Sequence, residues 1–285
     1  MAIRLDQIPW PVEHAKQFGP PATVGQALAP HQVGSTRAYA TMLGACGIIE
    51  TQVCQRILDA VDAIEKEILS GNSFASSSDP DLYSGLRRRL SELLGETASY
   101  LDIGKSPNDQ LATDTRLWLR EAYLKVTEDL LLLRQKLLLL ARRDIEVLMP
   151  GYTHLQPAVP ELLSHWWLAS AERLERDQSR LKDLYSRLNI CPLGAHAFAG
   201  ATQPIDRNKL AELLHFDGVI ENSLDAVSDR DFVVEFACTA ALIGVHVSQL
   251  SSELLIWSTR EFGYVRLPRA FTFRAQSFPQ KRNPE

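Results

Sequence analysis

From Asn108 to about Leu148 the chain contains neither proline nor glycine. At helical rise a stretch that long, free of both breakers, makes a rod roughly 60 Å in length. Residues 130–133 and 137–140 are all leucine, so apolar side chains lie on nearly every face of that rod. A helix of this kind is buried on most sides, as at the centre of a bundle or an oligomer. A second rod fits residues 161–189, where Leu163, Trp167, Leu174, Leu181, Leu184 and Leu188 fall close to heptad spacing. A third is expected from Ser228 to about Phe262, with Ser228 and Asp231 as a capping box. No alternating strand pattern of useful length is found. The predicted class is all-α with unusually long helices.

Residues 1–34 are rich in Pro, Gly and Gln and read as irregular. Helical signals begin near Ser35 and run to about Ser70. A Ser- and Asp-dense loop is expected over 71–80, then a short amphipathic helix over 81–95 that Gly95 ends. Gly104, Ser106 and Pro107 mark a boundary, which predicts an N-terminal helical domain over 1–105 and a central long-helix bundle over 106–285. Three apolar rods in one chain leave faces that need cover, so a helical-bundle oligomer is expected. A scaffold without chemistry is the plain alternative. Against it stand polar inter-helix segments at 104–110, 149–160, 192–207 and 264–285, richer than a scaffold requires.

Net charge is −5 with both signs mixed, which gives no electrostatic reason to expect nucleic acid or an anionic membrane. Cys46, Cys54, Cys191 and Cys238 lack CxxC spacing, so neither a zinc site nor a disulfide framework is indicated. The apolar run from Leu130 to Ala141 is interrupted by Arg134, Gln135 and Lys136 and is too short to span a bilayer. Pro9 and Pro11 interrupt any signal-peptide pattern, and a reducing cytoplasm is the expected location.

The densest polar segment reads Met-Pro-Gly-Tyr-Thr-His-Leu-Gln-Pro-Ala-Val-Pro over 149–160. It places the Thr153 hydroxyl, the His154 imidazole and the Gln156 carboxamide at a Pro/Gly break between two rods. Such a break turns side chains toward a cleft, where crowded polar groups need partners. A capped turn with a structural histidine explains the same pattern. His165, His215 and His246 lie in helical stretches and read as structural, and Trp166 and Trp167 as core or interface.

Five segments together are similar to one family. They are Ser-Pro-Asn-Asp-Gln-Leu-Ala-Thr-Asp (106–114), Pro-Gly-Tyr-Thr-His-Leu-Gln-Pro-Ala (150–158), and Pro-Leu-Gly-Ala (192–195) with Ala-Gly-Ala-Thr-Gln-Pro-Ile-Asp-Arg (199–207). The other two are Asn-Ser-Leu-Asp-Ala-Val-Ser-Asp-Arg-Asp-Phe-Val-Val-Glu-Phe (222–236) and Pro-Gln-Lys-Arg-Asn-Pro-Glu (279–285). This set resembles the argininosuccinate lyases of the fumarase/aspartase superfamily, over most of the chain from about Gln32. The resemblance implies anti elimination of fumarate from a small dicarboxylate substrate, without metal or organic cofactor, in a homotetramer whose sites combine segments of three subunits. It implies substrate contacts from Thr153, Asn108 with Ser106 beside it, Ser35 at the arginine-like end, Gln156, and Asn283. It further implies His154 as the active-site histidine and Lys281 as the loop lysine that stabilises carboxylate charge. Family members run well beyond this loop, so the resemblance implies that the chain spans part of such a protein.

Five positions depart from the family pattern. Ala275 stands where the loop carries its usual catalytic serine, with Ser277 two residues later. Tyr83 replaces a histidine two residues after Asp81, and Pro107 replaces an arginine between Ser106 and Asn108. His196 stands where glycine is common, and Lys105 where a second arginine is. These departures leave two alternatives beside argininosuccinate cleavage: a diverged lyase acting on another N-substituted aspartate, and a structural homologue without activity. The basic cluster Arg266, Arg269, Arg274, Lys281 and Arg282 is either a solvated tail or a flap that closes over a dicarboxylate.

Overall fold

The structure is a computed structural model that describes residues 24–76 and 78–284. Most of the irregular reading of 1–34 therefore lies outside the described residues. Helix α1 (Ala29–Ala45) begins earlier than expected, after a 3-10 turn at Val24–Leu28, with Pro30 in its first turn where a missing N–H costs nothing. The helical span expected from near Ser35 to about Ser70 holds two helices. A turn at 46–50 separates α1 from α2 (Thr51–Leu69), with Gly47 at φ 66°. Helix α3 (Leu82–Leu94) matches its expected span: the Asp81 carboxylate accepts from Ser84 N–H at 2.7 Å, and Gly95 ends it at φ 59°. A 3-10 segment, Gly95–Asp102, follows.

The long rods are α4 (Pro107–Arg143), α5 (Leu163–Leu188) and α8 (Asp231–Trp257). Two short helices precede α8: α6 (Arg207–Leu213) and α7 (Ser223–Ser228). The expected Ser228 capping box is corrected here. Ser228 is the last residue of α7 and donates to Leu224 O, whereas the Asp229 carboxylate accepts from Asp231 N–H at 2.8 Å and starts α8. Helix α8 ends at Trp257, short of Phe262.

Among the described residues, two short hairpins accompany the helices. Residues 148–162 form an antiparallel hairpin of β1 (Leu148–Thr153) and β2 (Gln156–Leu162), in which Thr153 pairs with Gln156. A second small hairpin pairs β3 (Thr272–Arg274) with β4 (Arg282–Pro284). The class remains all-α, with these hairpins as minor additions.

By compactness the chain forms two units, and both are discontinuous in sequence. Among the described residues, one unit comprises 24–123 with 185–232, and the other comprises 124–184 with 233–284. The first unit holds the main core, where α1 packs on α2 and α6 around Tyr39, Met42, Leu43, Ile57, Ile64 and Leu90. In the second unit the leucine-rich part of α4 is not buried on most sides: Leu130 and Leu137 are buried, but Leu131, Leu132, Leu138 and Leu139 are exposed. Helix α8 is long and apolar enough to cross a bilayer by length and composition alone, a feature the sequence reading passed over.

Candidate functional site

The first unit carries Ser35, Tyr83, Ser106, Pro107 and Asn108, and the second carries Thr153, His154, Gln156, Ala275, Lys281 and Asn283. Ser106 and Asn108 sit together at the start of α4. Ser106 is buried, its Oγ accepts from Asn108 N–H at 3.3 Å, and its own N–H donates to Asp109 Oδ1 at 3.0 Å. This is a capping box that the sequence reading missed, although Ser106-x-x-Asp109 carries its spacing. Asn108 is exposed, and its Nδ2 donates to Ala197 O at 3.4 Å. Pro107 occupies the first helical turn, a position that suits its ring and provides no carboxylate donor.

Ser35 is fully buried within α1. Its hydroxyl donates to Asp114 Oδ1 at 2.5 Å and accepts from Gln110 Nε2. Burial pushes the Asp114 carboxyl up to about 7, against the opposing hydrogen bonds of Ser35 and Gln110. Beside it, burial brings the Lys105 ammonium down to about 8, and the ammonium lies 5.1 Å from the centre of the Tyr39 ring. The Tyr83 hydroxyl is raised by burial first and by Asp102 next.

In the second unit the Thr153–Gln156 segment is a hairpin turn rather than a capped helix break. His154 and Leu155 occupy its two central positions at φ 51° and 57°, so both are left-handed. That geometry is the type I′ turn, which suits strand twist but strains residues other than glycine. Thr153, His154 and Gln156 are all exposed. His154 borders a cleft of about 460 Å³ that is also lined by Tyr152, Trp166, Arg173, Glu253 and Trp257. The Trp166 indole donates to Glu253 and stands 4.2 Å, centre to centre, from Trp257. Trp167 is buried as expected. His246 is satisfied, with Nδ1 2.6 Å from the buried Asp177 carboxylate.

Lys281 and Asn283 belong to the second hairpin. Lys281 is exposed in the connection, with its N–H on Phe278 O at 2.8 Å, and Asn283 pairs with Phe273. Two members of the expected basic tail are internal braces: Arg282 donates to Arg269 O, Thr272 O and Thr272 Oγ1, and Arg274 donates to Pro279 O. Ala275 follows β3 and carries a methyl group, which cannot accept a proton. Among the described residues, no group of three or more His, Cys, Asp or Glu could hold a metal ion.

The argininosuccinate lyase of Thioalkalivibrio sulfidiphilus (strain HL-EbGR7) is 44% identical over 260 residues, which is 91% of this chain and 56% of the relative. The argininosuccinate lyase of Synechococcus sp. (strain JA-3-3Ab) is 45% identical over 258 residues, 90% of this chain and 53% of the relative. The chain thus spans about half the length of the curated relatives it matches. The crystal structure of EDDS lyase in complex with formate superposes with a TM-score of 0.85 at 31% identity, covering 93% of this chain and 52% of that one. The fold is therefore the long-helix type of the fumarase/aspartase superfamily. The family model described as Lyase matches residues 20–285, and on that match the chain belongs to the lyase family.

Proposed function

We propose that the chain provides part of an argininosuccinate lyase, which splits argininosuccinate into arginine and fumarate and so serves arginine biosynthesis. The observation that carries this reading is the strained turn that presents His154, flanked by the exposed Thr153 and Gln156, at the edge of a cleft. In the reaction a base removes the proton from the carbon beside a carboxylate, the carbon–nitrogen bond breaks, and an acid delivers a proton to the departing guanidino nitrogen. The dianionic intermediate needs preorganised donors and a cation. Asn108, Thr153 and Asn283 supply donors, and Lys281 supplies the cation. His154 acts as a proton-transfer group. A homotetramer in the cytoplasm would combine Asn108 of one copy with His154 and Lys281 of others, without metal or organic cofactor.

Fumarate release from argininosuccinate, followed by its ultraviolet absorbance, tests the reading. Turnover is expected, and His154→Ala should lower it by about 100-fold or more. No turnover with His154 intact would sink the proposal. Ala275→Ser should then raise the rate by at least about tenfold, because it restores an acceptor at the usual base position.

A second reading is favoured by Pro107 and Ala275, which remove a guanidinium and a hydroxyl at two contact positions. In it the substrate is another N-substituted aspartate. Arginine-free succinyl adducts turned over faster than argininosuccinate would select it. Inertness toward all of them would leave a homologue without lyase activity.

A further inference from the structure

We infer that Asp109 is a positioning residue that locks the 194–197 loop onto the first turn of α4 and thereby fixes the Asn108 amide for substrate. The inference rests on the lyase reading for what Asn108 binds. Asp109 is fully buried. Its Oδ1 accepts from Ser106 N–H at 3.0 Å, which is the ordinary half of a capping box. Its Oδ2 makes two bonds that a cap does not require: Gly194 N–H donates to it at 2.9 Å and His196 N–H at 3.0 Å. Three backbone donors on one buried carboxylate form a charge-assisted clamp between a helix start and a remote loop.

The loop is held in a conformation that few sequences adopt unaided. Gly194 sits at φ 86°, and a Cβ there would lie 2.9 Å from Arg207 Cγ and 3.1 Å from Ile205 Cδ1. His196 sits at φ 60°, which is uncommon for a residue with a side chain. Leu193 and Ala195 are fully buried and anchor the loop from below. The product of this arrangement is the Ala197 carbonyl, placed 3.4 Å from Asn108 Nδ2, which orients the exposed amide. Asn108 is adjacent to the clamp, so a shift of the loop moves the amide directly.

The test is Asp109→Asn in the full chain, which keeps size but turns one acceptor into a donor facing N–H groups. Steady-state fumarate release, fumarate binding by calorimetry and the thermal midpoint are read together. We expect kcat/KM to fall by about 100-fold, mostly through KM, with a matching loss of fumarate affinity in a folded protein. If Asp109→Asn does not fold, Asp109→Glu, which keeps the charge and both acceptors, carries the test with the same split. Wild-type values of KM and fumarate affinity in a folded variant overturn the inference alone. Loss of folding in both variants assigns Asp109 to stability and also overturns it. A wild type that neither releases nor binds fumarate overturns the lyase reading and this inference with it.

Discussion

Two buried charges in the first unit cost stability near neutral pH. Asp114 is desolvated, and its carboxyl stands at about 7 in the folded chain against an ordinary 3.8. Between those values the folded state holds a proton that the unfolded state has released, so stability falls as pH rises through that window. Lys105 is the mirror case. Burial brings its ammonium to about 8 from 10.5, so the unfolded state holds the extra proton and stability rises with pH between those values. Asp114→Asn should abolish the falling limb. At about pH 8 the variant should gain roughly 1 to 4 kcal/mol, and at about pH 4 almost nothing. Urea midpoints at the two pH values decide it. The replacement fits the local bonding, because Ser35 can still donate to the new carboxamide oxygen and Gln110 Oε1, buried without a partner, can accept from its nitrogen after an amide flip. Equal midpoint shifts at both pH values would show that desolvation of Asp114 is not the cause.

At the scale of elements the β1–β2 turn makes a separable prediction. His154 and Leu155 both sit in the left-handed region, at about 1 kcal/mol each for a residue with a Cβ. Leu155→Gly should raise stability by about 0.5 to 1 kcal/mol and preserve activity. His154→Gly should give a similar gain in stability while activity is lost, which separates strain from chemistry. Thermal midpoints and fumarate release check both. The same turn shows why part of the fold was illegible. The sequence lacks the Asn-Gly or Asp-Gly signal of such turns, and Pro150, Pro157 and Pro160 argue against a ladder. The rods α4 and α5 were legible because breaker-free length and leucine spacing are local properties. The end of α3 at Gly95 was legible for the same reason. The start of α8 was misread because Ser228 and Asp229 are adjacent candidates, and only the bond to Asp231 N–H distinguishes them. Thr153, His154, Asn108 and Lys281 were named from their motifs. The second role of Asp109 was not, because it depends on a loop far along the chain.

At the scale of the whole molecule the unresolved demand is apolar surface. Leu124, Leu131 and Leu138 are exposed by 58%, 52% and 44%, seven residues apart on α4, and Leu132 and Leu139 repeat the spacing. A seven-residue repeat of exposed leucines is the seam of a helix that expects another helix. Helix α8 leaves Leu242, Val245 and Leu255 exposed, yet Glu253 and His246 tie it to Trp166 and Asp177 of α5. A helix with one side bonded to protein through polar groups and the other apolar suits a protein neighbour better than lipid. Burying each seam leucine contributes about 1.5 to 3 kcal/mol, so charging two such positions removes about 3 to 6 kcal/mol of each copy's contribution to the assembly. Leu131→Glu with Leu138→Glu should therefore convert the proposed tetramer to smaller species, measured as mass by light scattering. Fumarate release should fall in parallel, because the proposed site draws Asn108 and His154 from different copies. An unchanged mass with unchanged turnover would place the seam elsewhere. A double variant that dissociates yet retains full turnover would show that one copy holds a complete site.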